Sequence, residues 1–477
     1  MTPWSEKNSP RILIAGAGIG GLTTALSLHA AGLDDIVLVE ACPRLRAVGA
    51  GINLQPAAVR ELTELGLGDA LAAEAVATAR LEYHHRYGGE IWSEPRGLAA
   101  GYRWPQYSVH RGRLQELLLA EVTRRLGPGA LMTGRRLARY EQRYADGHHR
   151  VWAYTAGDPE PISCDLLIGA DGINSAVRAA MYPDEGPPLG NGICMWRGLS
   201  EGPPFLDGRT MVILGCNSRV KAVVYPVRPP DASGTSTLNW VVETRTIGTP
   251  AGTVAPVTRR PSTRTTGPRT FGGAPASRAP APVADGSTAA AGWDSAVPPS
   301  TVLPHLEGWH VPFLDLRATV AAAPRVLRYP MIDRDPLPSW VDGRVVLLGD
   351  AAHPMYPTGS NGASQAIVDA RVLAYLLAHH DPDEALARYD ATRRPETTRL
   401  LAAHRRLEPD PLLHQVESLA PDGFRDIRDI LPDHKLAEIR SCTRQVTGVD
   451  AAGLNARSSW NVPARTASAC AWPLQSG

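Results

Sequence analysis

Apolar positions in this chain fall into two patterns. The first is the short unbroken run. Ile12-Leu13-Ile14-Ala15 and Ile36-Val37-Leu38-Val39 have the length and β-branching of strands buried on both faces of a parallel sheet. Between them, Leu22 to Ala31 predicts a helix that stops at Gly32. Leu166-Leu167-Ile168 and Val345-Val346-Leu347-Leu348 repeat the strand pattern, and each runs into a loop rich in Gly and Asp, Gly169-Ala170-Asp171-Gly172 and Gly349-Asp350. Helical spacing predicts a helix starting near Pro56 and running toward Ala73, with Val59, Leu62 and Leu65 on one face. It predicts another from Leu114 to Leu126, striped by Leu114, Leu117, Leu118, Val122 and Leu126. After Gly362, Ala366, Ile367, Ala370, Leu373, Ala374 and Leu377 share a face, and a further helix covers about Asp383 to His404.

The second pattern is short and alternating. Leu81 to Glu94, around Gly88-Gly89, reads as a hairpin of a second sheet. Strand-like pieces lie near Leu137 to Tyr140 and Val151 to Tyr154. Ile193 to Trp196, Met211 to Leu214, Ala222 to Tyr225 and Leu238 to Val242 predict an antiparallel sheet. Both patterns fail over 246–304, a stretch rich in Thr, Pro, Ala, Arg and Gly and nearly free of acids, which predicts a disordered or linker segment. Two hypotheses account for that composition: a natural insertion, or a stretch of a GC-rich gene read in a shifted frame. Resequencing the locus decides, since an unbroken frame rules out the second. The chain beyond Ser458 reads as an unstructured tail.

Composition narrows the function classes. A length of 477 residues allows two or three domains. Lys and Arg total 49 against 48 for Asp and Glu, so no bulk field attracts nucleic acid. The six cysteines are scattered without a C-x-x-C pair, which indicates neither a disulfide frame nor a metal site and fits a cytoplasmic protein. The polar start leaves no room for a signal peptide, and no apolar run reaches the ~20 residues of a membrane span.

The first strand runs into Gly16-Ala17-Gly18-Ile19-Gly20-Gly21, a G-x-G-x-x-G pattern formed by Gly16, Gly18 and Gly21. The first glycine makes the tight turn, the second admits a pyrophosphate to the backbone, and the third lets helix and strand pack closely. The helix then aims its N-terminal N–H groups at the phosphates. Glu40 ends the second strand about twenty residues on, where a carboxylate accepts hydrogen bonds from a ribose diol. The unit predicts a dinucleotide site and leaves FAD against NAD open.

The three strand-ending loops, in this order, resemble the FAD-dependent aromatic-hydroxylase family, the group A flavin monooxygenases. Further blocks carry the likeness: Gly51-Ile52-Asn53-Leu54-Gln55-Pro56, Trp92 to Gly97, Tyr107 to Arg111, Met195-Trp196-Arg197-Gly198, Tyr329-Pro330-Met331 with Asp333 to Pro338, and Met355-Tyr356-Pro357 with Asn361-Gly362-Ala363. The likeness is nearest to the phenazine-modifying members and covers most of the chain apart from 246–304 and the extreme C-terminus. It implies an α/β fold: a Rossmann-like FAD-binding domain, a β-sheet substrate domain and C-terminal helices. The implied boundaries are 1–80, 105–190 and 326–405 for the first, 81–104 and 191–325 for the second, 406–457 for the helices and 458–477 for the tail.

The resemblance implies an enzyme with bound FAD, NAD(P)H as a transient co-substrate, and O2. It would hydroxylate an aromatic or N-heteroaromatic small molecule, phenazine-like, through a flavin C4a-hydroperoxide. Two other readings stay open: a hydroxylase of a salicylate-like or nicotinate-like acid, and a flavin-binding protein with an impaired substrate domain. A homodimer is possible. The implied cofactor residues are Gly16, Gly18, Gly21, Glu40, Arg111, Asp171, Gly172, Gly349, Asp350, Pro357, Gly359, Asn361 and Gly362. In that scheme Glu40 holds the adenosine ribose, Arg111 faces FAD, and Asp171 supports FAD and the nicotinamide. Asp350 meets the ribityl or pyrophosphate region, and the small loop from Pro357 to Gly362 makes room for the flavin ring. The helix after Gly362 would turn its positive end to the ring's N1–C2=O edge. No acid–base dyad is required. His353 is a candidate proton relay or a structural hydrogen-bonder. Trp196, Tyr225, Trp240, Tyr329 and Met331 either line an aromatic pocket or belong to the core.

Overall fold

The computed structural model describes residues 10–45, 49–145, 148–245, 295–407, 410–437 and 451–462. The unbroken apolar runs form one sheet of six strands, ordered Val341–Asp342, Val345–Leu347, Leu166–Gly169, Ile12–Ala15, Ile36–Glu40 and Leu131–Thr133. All neighbours are parallel except the first pair. Helices Ile19–Ala30, Arg111–Leu126 and Gly362–His379 contribute to its core, and Ile12, Leu13, Ile14, Leu167 and Val346 are fully buried in it. The five strands other than Val341–Asp342 run the same way, so their C-terminal loops, including Gly16, Ala170 and Gly349, open on one edge of the sheet. That edge is where a doubly wound sheet binds ligands.

The alternating segments form a second sheet of eight strands, ordered Ser295–Val297, Val326–Asp333, Leu189–Gly202, Ser236–Arg245, Val220–Arg228, Thr210–Gly215, Arg80–His84 and Glu90–Pro95. Its period of two separates two faces. Trp196, Val212, Leu214, Ala222, Val224, Trp240 and Val242 pack on one side with Phe205, Val302 and Leu306. Met195, Met211, Ile213, Val223 and Val241 line a cavity on the other. Smaller sheets, Gly51–Leu54 with Gln106–His110 and Ala75–Thr78, and Leu137–Ala145 with His148–Thr155 and Ile162–Cys164, complete the β-structure.

Several expectations are corrected. The first helix begins at Ile19, at the glycine turn itself. The helix from Pro56 breaks at Gly66, whose φ of +79° is left-handed, into Pro56–Glu64 and Gly68–Glu74. Val326–Asp333 pairs with Leu189–Gly202 in the eight-stranded sheet. Residues 295–304 are ordered: Ser295–Val297 pairs with Val326–Asp333, and Val302 is fully buried. The rest of that segment, 246–294, lies outside the described residues. Beyond Ser458, the Trp460 N–H donates to the buried Glu61 at 3.3 Å, the Trp460 ring meets Tyr375 edge-on, and Asn461 accepts from Arg371. Residues 463–477 lie outside the described residues. Among the described residues no helix is long and apolar enough to cross a membrane.

Gly198 shows why Trp240 belongs to the core. A Cβ at Gly198 would stand 2.3 Å from the Trp240 ring, so the indole fills the space that any other residue would need. Gly198→Ala is expected to lower stability by about 1–3 kcal/mol through overpacking, as measured by urea denaturation.

Candidate active site

The glycine turn is built by close backbone approach. Gly16 has φ +101°, and a Cβ there would sit 2.4 Å from the Ala170 carbonyl oxygen. A Cβ on Gly21 would lie 1.9 Å from the Gly16 oxygen. Gly18 differs, because nothing stands within 4 Å of the position its Cβ would take. That open spot is the N-cap of helix Ile19–Ala30, where backbone N–H groups lack partners within the helix.

From this spot a cavity of about 420 Å³ extends to the eight-stranded sheet. Its near end is lined by Gly18, Ile19, Gly20, Arg111, Gly172, Gly349 and Asp350. Its middle is lined by Gly51 to Asn53, Gln55 and the loop from Tyr356 to Gly362. Gly359 (φ +69°) and Ser360 (φ +58°) are both left-handed in that loop, a strained turn that keeps backbone at the surface. Gln55 holds it in place: its N–H donates to Ser364 Oγ at 2.9 Å and its Nε2 to the Gly359 oxygen at 2.9 Å. Helix Gly362–His379 starts here with Gly362 and Ala363 on the cavity wall, so a second helix N-terminus meets the same space.

The carboxylates differ in their use. Glu40 accepts from the Ala17 N–H and the Cys42 N–H, each at 2.8 Å, which fixes it at the end of its strand beside the glycine turn. Asp171 turns back on its own loop, accepting from Ser175 Oγ at 2.5 Å and the Ala176 N–H at 2.7 Å. Burial pushes its carboxyl up against the pull of those donors. Asp350 opens into the cavity. The surrounding protein raises its carboxyl, while His353 and Arg111 draw it down and Asp369 raises it further.

Two helix N-termini, an arginine and a cradle of glycines around an elongated cavity fit a dinucleotide that carries a planar ring. A profile of the FAD binding domain matches residues 10–186 and 332–404. The chain belongs to this FAD-binding family. It is 43% identical over 430 residues, 88% of this chain and 97% of the relative, to the phenazine 1,6-dicarboxylic acid hydroxylase PhzS of Lysobacter antibioticus. It is 34% identical over 406 residues, 83% of this chain and 86% of the relative, to the 3-amino-4-hydroxybenzoate 2-monooxygenase of Streptomyces cremeus. Klebsiella pneumoniae HpxO, solved with FAD and uric acid, has the same fold at a TM-score of 0.66 and 23% identity, covering 91% of this chain and 96% of that one. The protein is an FAD-dependent monooxygenase of the aromatic-hydroxylase kind.

In this hydroxylase the expected cofactor residues Gly18, Arg111, Gly172, Gly349, Asp350, Pro357, Gly359, Asn361 and Gly362 come together on one cavity. Gly16, Gly21, Glu40 and Asp171 stand behind its surface. Of the five substrate-wall candidates, Tyr225 lines the cavity. Met331 and Tyr329 pack behind Met195, Val241 and Tyr356. Trp196 and Trp240 face the opposite side of the sheet, because each is one residue out of phase with its cavity-facing neighbours Met195, Arg197 and Val241. His353 lies outside the lining and is buried, with Nε2 2.5 Å from Asp369 Oδ2. Asp369 also accepts from Arg393 Nε at 2.7 Å and from the Gly349 N–H at 3.1 Å, so His353 braces the loop beneath Asp350. Residue-level reading missed Arg96, Lys221 and Glu243 on the cavity wall. For Lys221 and Glu243 the signal available was a charge at an inward position of otherwise apolar strands, whereas Arg96 lies just past the end of its strand.

Gly18→Ala separates cradle from fold. The added methyl meets no protein atom within 4 Å but protrudes at the open N-terminus of helix Ile19–Ala30. The expected outcome is an apoprotein melting within about 2 °C of wild type and an FAD dissociation constant raised at least about tenfold, measured by flavin fluorescence quenching; unchanged FAD affinity would refute the cradle.

Proposed function

We propose that the protein hydroxylates a phenazine-type N-heteroaromatic acid, with NAD(P)H as electron donor. The observation that carries this reading is the single cavity joining the glycine cradle to an apolar sheet wall of Met195, Met211, Ile213, Val223 and Val241. Such a wall accommodates a flat fused ring system, and the flexible thioethers of Met195 and Met211 adapt to its faces. The relative from Lysobacter antibioticus, named for a phenazine dicarboxylic acid, supports the ring class.

In this reading residues 1–80, 105–190 and most of 334–405 form the cofactor-binding part, and the eight-stranded sheet with its coverings forms the substrate part. Gly16, Gly18 and Gly21 shape the pyrophosphate cradle, Glu40 takes the adenosine ribose, and Asp350 takes the polar linker between pyrophosphate and ring. FAD, when bound, supplies hydride acceptance from NAD(P)H and activation of O2. The chain's own contribution is position and dryness. The left-handed turn at Gly359 and Ser360 presents backbone where a flat ring can lie. The N-terminus of Gly362–His379 favours negative charge beside it. The apolar sheet wall keeps bulk water from the reacting ring carbon. Tyr225 is buried, with its phenol pushed up to about 12 chiefly by that burial, and its hydroxyl donates to the Gly51 oxygen at 2.8 Å. It therefore serves as a brace between the sheets rather than as a base.

Purified holoenzyme with NADH or NADPH in air tests the reading. Phenazine-1-carboxylate is expected to stimulate nicotinamide oxidation at least about tenfold and to yield a hydroxylated ring by mass spectrometry. Stimulation by salicylate or 6-hydroxynicotinate alone would move the assignment to a smaller aromatic acid. Stimulation by none of them, from a protein that binds FAD, would establish a flavoprotein with an impaired substrate part.

A further inference from the structure

Apart from Arg197 and Tyr225, which donate to the Gly51 oxygen, the sheet wall of the cavity is apolar except at one end, where Tyr83, Arg96, Lys221, Glu243 and Asp410 reach its surface. These groups are neighbours. Burial raises the Tyr83 phenol, and the charges of Asp410, Arg96, Glu94 and Lys221 act on the same hydroxyl. Tyr83 is itself held flat against Trp92, ring centroids 5.1 Å apart and planes 6° from parallel.

The charges at this end are not equivalent. Lys221 and Glu243 stand opposite each other on adjacent strands and pair at 2.9 Å, so both members of that pair face the cavity and offset each other locally. Asp410 caps helix Pro411–Leu419, accepting from the N–H groups of Leu412 and Leu413 at 3.0 and 3.2 Å. Arg96 is bound by Glu94 through one terminal nitrogen, but Glu94 is not part of the cavity lining. A molecule in the cavity thus meets the guanidinium and not its counterion. The Arg96 Nε is buried and has no hydrogen-bond partner among the described residues. A buried guanidinium N–H without an acceptor is a costly arrangement, and a ligand oxygen would relieve it.

We infer that Arg96 is a specificity-determining residue that reads a carboxylate on the aromatic substrate, its Nε–H donating to a carboxylate oxygen beside the Tyr83 hydroxyl. Glu94 fixes the plane of the guanidinium, so the free edge is preorganised and little side-chain entropy is lost on binding. The acid group anchors one end of the ring system at this end of the wall, and the ring then lies over the Met195 and Met211 surface toward the loop at Gly359. The inference rests on the aromatic-acid reading above and adds to it which residue selects the acid.

The test is a set of dissociation constants for oxidised holoenzyme, read from ligand-induced changes in flavin absorbance. Two matched pairs serve as probes: phenazine-1-carboxylate with phenazine-1-carboxamide, and salicylate with salicylamide. Arg96→Lys keeps a cation beside Glu94 but removes the Nε–H. It is expected to weaken binding of the acid about tenfold to hundredfold and to change binding of the amide by less than about threefold. Arg96→Gln, which removes the charge, is expected to give the same split. An equal loss for acid and amide, or no loss for either, overturns the role of Arg96. If wild type binds neither phenazine but prefers salicylate to salicylamide, the phenazine reading fails and the salicylate pair decides on Arg96. If wild type shows no preference for the acid in either pair, the inference about Arg96 is overturned whichever ring binds.

Discussion

The structure depends on a close contact between three stretches of backbone. Gly16 lies against Ala170, and Gly21 lies against Gly16, at separations that exclude even one methyl group. This contact locks the end of strand Ile12–Ala15 to the end of strand Leu166–Gly169 and presses helix Ile19–Ala30 onto the sheet. The third loop is packed closely on the helix that follows it, since a Cβ on Gly349 (φ +60°) would come 3.0 Å from the Ala366 side chain. What the contact leaves open is the space at Gly18, and the cavity grows from there.

A buried charge network holds the third loop rigid. Asp369 has no exposed surface, yet its carboxyl lies below the ordinary range: burial pushes it up, and His353 and Arg393 together outweigh that push. A carboxyl whose folded value is depressed stabilises the fold above its unfolded value. That contribution is lost as pH falls through the folded value. The Trp340 ring, 5.1 Å from the His353 ring, covers the network. Because the Gly349 N–H ends on Asp369, the position of Asp350 in the cavity is set by residues that never reach it.

The small sheet that starts at Gly51 is joined to the eight-stranded sheet through that residue. Its N–H donates to Asn239 Oδ1 at 2.7 Å, and its oxygen accepts from Tyr225 and Arg197 at 2.8 and 3.1 Å. A Cβ there would fall 2.5 Å from Val227, so the approach again requires glycine. The two sheets therefore share one fixed seam, and the loop at Gly359 is tied to it through Gln55.

The cradle was legible in the sequence because its parts are local: a strand, glycines at set spacing, a helix and a terminal acid lie within about thirty residues of one another. The repeated strand-to-loop form at Asp171 and Asp350 was legible for the same reason. The helix break at Gly66 and the order of residues 295–304 were not, since they arise from a backbone conformation and a long-range strand pairing that leave no periodic trace. Sequence by itself determined the presence of two sheets and of a dinucleotide cradle. Only the tertiary structure decided which way each strand of the second sheet faces. It sent Trp196 and Trp240 to the core and brought Arg96, Lys221 and Glu243 to the cavity. The reason is that a side-chain period of two fixes alternation but not phase, and phase is set by what packs on each face.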